Sequence, residues 1–169
     1  MNPAWTAEDP TSKAIDLVVA RYGVPEFRRR EFHAYRDLPL AWRMPVMTDV
    51  LEGEIQNGGL TQFLWNNFHH HRRIMQDAID GYELIGAPAA AAAARHCALL
   101  CLTFEDRCGR IVEAATKDQD PGHFTEWYDE AETEMSCPEE DLFYSDAELH
   151  RIKGRWILAN LELFRGLMV

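Results

Sequence analysis

The stretch Glu54-Ile55-Gln56-Asn57-Gly58-Gly59-Leu60-Thr61-Gln62-Phe63-Leu64-Trp65-Asn66 decides how the rest of the chain is read. It joins an amphipathic segment, a double glycine and a second apolar segment carrying amides. Two adjacent glycines let one helix end and another begin almost at once, because positive φ costs them little. Gln62 and Asn66 are four apart and share a helical face. Glu54 and Asn57 sit on the last turn before the break. Four polar side chains thus surround one tight corner among Ile55, Leu60, Phe63, Leu64 and Trp65. Buried polar groups persist only when hydrogen-bonded, so Glu54, Asn57, Gln62 and Asn66 are expected to form a network that pins the corner.

On either side the apolar spacing is helical. Pro45 suits the first turn of a helix running to Asn57, where its missing N–H is not needed. Asp49, Glu52 and Glu54 lie on that helix without a histidine at metal spacing and read as solvated or locally paired. Ile74, Met75, Ala78, Ile79, Tyr82 and Ile85 form the stripe of another helix, stopped by Gly86. Pro88 opens an alanine-rich helix to about Phe104, and Gly109 is expected to separate a short helix beyond it. Cys97, Cys101 and Cys108 fall on one stripe, where thiols act as small apolar groups, and the fourth cysteine is Cys137. With no CxxC pair, reduced thiols and no metal ligand set are expected. His69-His70-His71 point in different directions on any regular backbone and cannot share one ion. Arg28-Arg29-Arg30 reads as a solvated basic face diluted by Glu26, Glu31 and Asp37.

Near the N-terminus, residues 1–10 read as a flexible lead-in to a single domain spanning 11–169, with Thr11-Ser12 capping its first helix. Toward the C-terminus, Phe124, Trp127, Tyr128, Ala131 and Met135 keep the spacing of a helix laid on a core. A loop over Ser136–Tyr144 follows, and Ser145 or Asp146 caps a final helix through Leu167. Strand-period alternation never extends beyond a few residues. The fold class is all-α, a single-domain bundle of roughly eight or nine helices.

The run from Glu54 to Asn66, continued by Ala78 and Tyr82-Glu83-Leu84-Ile85-Gly86-Ala87, resembles a bacterial family of unknown-function domains. That family's best-known member is a small acidic DNA-mimic protein. The resemblance covers about residues 48–105. The family pattern sets an acidic residue before Asn-Gly-Gly, then an aromatic, Gln-Phe and Asn; Leu60 stands here where the aromatic is usual. The resemblance implies an all-helical homodimer that occupies the DNA-binding face of a transcription factor. The motif itself is a fold marker and does not carry mimicry.

Charge supplies the functional signal. The chain has 28 acids, 17 Lys and Arg, and a net charge of −11. From Asp118 to His150 there are twelve acids and no Lys or Arg, leaving sixteen acids against seventeen bases elsewhere. Such asymmetry points to a cationic partner, although acidic surfaces also serve solubility alone. Glu126, Asp129, Glu130, Glu134, Glu139, Glu140 and Asp141 are the expected partner-binding surface, facing a basic DNA-binding protein and not nucleic acid itself. Arg151, Lys153 and Arg155 on the last helix are expected to pair partly with these acids.

No catalytic motif is present: no GxSxG, no HExxH and no phosphate-cradling glycine loop. No cofactor is expected, and the protein is read as non-enzymatic. The alternative is a small-ligand or metal-dependent hydrolytic site near Asn57-Gly58-Gly59. No apolar run reaches the roughly 18 residues of a membrane span, and the N-terminus lacks a secretory pattern, so a cytoplasmic protein is expected.

Overall fold

The computed structural model describes residues 9–168 apart from 28, 31, 32, 34, 119, 121, 145 and 146, and every regular element among them is helical. The helices are α1 (Pro10–Tyr22), α2 (Leu40–Asn66), α3 (His71–Leu84), α4 (Pro88–Asp118), α5 (Gly122–Met135), α6 (Asp141–Tyr144) and α7 (Ala147–Ala159). Short 3₁₀ segments occupy Pro138–Glu140 and Leu161–Leu167. The chain is all-α, as its periodicity requires. The expected cap at Ser145 or Asp146, residue Arg28 and most of the N-terminal lead-in lie outside the described residues.

α2, α3 and α4 pack in sequence and form the centre. α5 covers α2 and α4, while α1 bridges α2 and α7. The stripe of α3 and the cysteine stripe of α4 are buried, as their spacing requires. Ile74, Met75, Ala78 and Tyr82 of α3 are at most 1% exposed, as are Cys97, Cys101 and Cys108 of α4. All four cysteines are free and buried.

Several boundaries differ from the sequence reading, each for a local reason. α1 is capped by Asp9, whose carboxylate accepts the N–H groups of Thr11 (3.2 Å) and Ser12 (3.1 Å). Thr11 and Ser12 are therefore donors to the cap. α2 begins at Leu40, so Pro45 lies inside the helix and not in its first turn. The earlier turn is held from outside: Arg43 makes a two-point contact with Asp77 at 3.0 Å, and the Trp42 indole donates to the Leu163 carbonyl at 2.7 Å.

α4 runs unbroken through Gly109, which does not divide it. A Cβ there would stand 2.7 Å from Phe68 Cζ, so the glycine admits a ring where a helix break was expected. The last helix stops at Ala159. Asn160 Nδ2 takes the Trp156 carbonyl at 2.8 Å while its own N–H turns to Ile157, and the chain tightens into the 3₁₀ segment.

Candidate functional site

The double glycine breaks α2 as its sequence requires. Gly59 holds φ +69, a left-handed conformation that glycine adopts without strain. Gly58 serves a different need: a Cβ there would meet Gln62 Oε1 at 2.4 Å. The space it leaves admits the Gln62 side chain into the corner. Gln62 Nε2 and Asn66 Nδ2 both donate to Glu54 Oε2, at 2.9 and 2.8 Å. Three of the four predicted polar residues thus form one network. Asn57 is exposed and takes no part in it, which corrects the sequence expectation.

Glu140 completes the corner from the other side. It was expected on the partner-binding surface, but it is 5% exposed. Its carboxylate accepts the Cys137 N–H at 3.2 Å and the backbone N–H of Leu60. The break in α2 frees N–H groups at the start of the segment after Gly59, and an anion is favoured there. Burial pushes the Glu140 carboxyl above its usual range, and these two N–H groups oppose that shift.

α5 lies across this corner. Trp127, Ala131 and Met135 are fully buried, and the Trp127 indole donates to the Thr61 carbonyl at 3.0 Å. Phe124 packs on Trp65 with ring centroids 5.5 Å apart. The opposite side of α5 presents Glu126, Asp129, Glu130, Glu132 and Glu134, all exposed.

The sequence treats this stretch as free of basic residues. In space α4 supplies one. Arg107 reaches Glu130 at 2.7 Å and Glu134 at 3.4 Å, so these two acids are partly neutralised. His123 lies 3.5 Å from Glu126. Asp129 and Asp141 are exposed. Glu139 turns toward α4, with Oε1 3.0 Å from His96 Nδ1. The acidic surface is therefore narrower than the sequence suggests, running along α5 with Asp141 beyond its end.

The bases of α7 divide similarly. Arg151 and Arg155 hold Glu148 at 2.6 and 2.7 Å. Lys153 instead turns inward, 2% exposed, and meets Glu52 at 2.6 Å. Tyr82 donates its hydroxyl to the same carboxylate at 2.7 Å. Glu52 is thus locally paired, with a partner that sequence distance concealed.

Two concavities flank these features. A cleft of about 280 Å³ at the corner is lined by Asn57, Gly58, Gly59, Tyr128, Glu132, Ser136 and Glu140 among others. Its buried carboxylate, Glu140, is committed to backbone N–H groups. A second cavity of about 240 Å³ lies beside the histidine run, whose rings diverge as expected. His70 Nε2 meets the Arg29 carbonyl and His71 Nδ1 the Phe68 carbonyl, both at 2.7 Å.

A family model described as DMP19-like protein matches residues 36–160. The chain belongs to the DMP19-like family. The match agrees with the resemblance carried by the Asn57-Gly58-Gly59 motif and extends it through α5 and α7. No curated protein and no solved structure matches the chain. Among the described residues no helix is long and apolar enough to cross a membrane.

Proposed function

We propose that this DMP19-like protein is a non-enzymatic DNA mimic whose α5 surface occupies the DNA-binding face of a basic protein. One observation carries the reading. Trp127, Ala131 and Met135 anchor α5 in the core while Glu126, Asp129, Glu130, Glu132 and Glu134 are presented outward. Side chains three and four apart on a helix lie about 5–6 Å from one another. That interval is close to the phosphate step along one strand, and phosphate contacts supply much of the affinity of DNA-binding faces. Membership in the DMP19-like family supports the same role.

A homodimer fits this function, because a two-fold axis doubles the stripe as a palindromic site does for a dimeric repressor. Light scattering on the purified chain reads the expected doubled mass.

The test of mimicry is capture of DNA-binding proteins from a bacterial lysate at low and then moderate salt. The control bait carries Glu126→Lys and Asp129→Lys, which leaves the Arg107 bridge to Glu130 and Glu134 intact. Salt-sensitive capture by the unaltered chain alone is expected. Equal capture by both baits, or none by either, overturns the proposal and leaves α5 a solvated surface.

A further inference from the structure

His96 of α4 and Cys137 and Glu139 of the turn after α5 bring three different donor types together. Their ligand atoms all lie within 4.8 Å of one another. In tetrahedral zinc sites bond lengths of about 2.0–2.3 Å place donor atoms roughly 3.3–3.7 Å apart. Contraction by about an ångström would therefore close the triad around one ion. We propose that His96, Cys137 and Glu139 form a binding site for a borderline-soft divalent transition ion of the Zn²⁺ class.

Three further observations support it. The Glu139 carboxylate, whose Oε2 is buried, already has both other donors as hydrogen-bond neighbours, the His96 imidazole and the Cys137 thiol. Cys137 also shares a hydrogen bond with the Cys97 thiol, the kind of outer partner that orients a metal-bound sulfur. Finally, the turn that carries two ligands is already set, because Glu140 holds the Cys137 N–H at 3.2 Å.

The donor set selects the metal class. A sulfur and an imidazole disfavour Mg²⁺ and Ca²⁺, which prefer oxygen, and suit Zn²⁺ or Co²⁺. As the metal–sulfur bond forms, the Cys137 thiol releases its proton to solvent. Three protein ligands leave the fourth position to water. The site uses residues outside α5 and stands independently of DNA mimicry.

The experiment titrates the untagged full chain with Co²⁺, in a background carrying His69→Ala and His70→Ala to remove adventitious imidazoles. One ion per chain is expected, with a thiolate-to-cobalt charge-transfer band in the near ultraviolet that Zn²⁺ abolishes by displacement. Cys137→Ser removes the band, whereas Cys108→Ser, far along α4, keeps it. His96→Gln and Glu139→Gln, at partly exposed positions that leave the core intact, each weaken binding by about tenfold or more. Absence of the band, its survival in Cys137→Ser, or unchanged affinity in both glutamine variants overturns the assignment.

Discussion

α2 and α5 both carry acids among apolar and aromatic residues, yet the two helices use them in opposite ways. Glu52 and Glu54 of α2 each meet two partners: Lys153 and Tyr82 for the first, Gln62 and Asn66 for the second. On α5, Glu126 and Asp129 face outward, and the Arg107 guanidinium of α4 goes to Glu130 and Glu134. The difference follows from position. α2 is covered on several sides, so its polar side chains must find donors within the protein. α5 is covered on one side only, so its outer acids keep their water and their charge. Carboxylates of the first kind hold the fold together, and those of the second kind remain available to a partner.

The sharpest way to break this contrast is at Lys153. Lys153→Ala leaves Glu52 without its cation and is expected to cost about 3–5 kcal/mol in urea unfolding. A loss below about 0.5 kcal/mol, the scale of ordinary surface changes, would place Glu52 in the same class as the α5 acids. Next comes the corner. Glu54→Ala leaves Gln62 and Asn66 without their shared acceptor and is expected to cost about 1–3 kcal/mol. Asn57→Ala, three residues away but outside the network, is expected to stay within about 0.5 kcal/mol. Equal losses at both positions would mean that the corner is not organised by Glu54.

Burial also gives the inner region a pH dependence. His71 is 3% exposed, and its desolvation lowers the imidazole below its ordinary value of 6.5, with Arg72 adding to the effect and the Phe68 carbonyl and Glu105 opposing it. The unfolded chain therefore takes up this proton at a higher pH than the folded chain. The stability contribution is complete above about pH 6.5 and is lost as pH falls through that value toward the lowered one. Urea midpoints at pH 7.5 and 5.5 are expected to separate more in the unaltered chain than in His71→Gln. Equal separations would remove His71 as the cause. The smallest expected effect belongs to α5: Glu126→Lys and Asp129→Lys each change stability by less than about 0.5 kcal/mol while abolishing partner capture.

Much of the corner was legible because its partners are close in sequence. Gln62 and Asn66 are one turn apart, and the glycines that fold them back stand between these amides and Glu54. The inward residues of α3 and α5 were legible for the same reason, since a helical period is a local property. Glu140 was misread because charge near other charges looks exposed in sequence, whereas the N–H of Leu60 that draws it inward is eighty residues earlier. Gly109 was misread because a helix tolerates glycine when a neighbour such as Phe68 needs the space. His96 and Cys137 are 41 residues apart and match no ligand spacing, so no motif joins them.

By itself, the sequence determined the helical class, the position of the break at Gly58-Gly59, the apolar stripes and the concentration of acid between Asp118 and His150. These depend on backbone sterics, local periodicity and composition, all of which are present in any short window of the chain. Only the tertiary structure decided which acids are inside and which are out. It brought Lys153 to Glu52, Arg107 to Glu130, and His96 to Cys137 and Glu139. Those pairings depend on distances that exist only after distant helices have packed, because a carboxylate's role is set by the donors and the water around it.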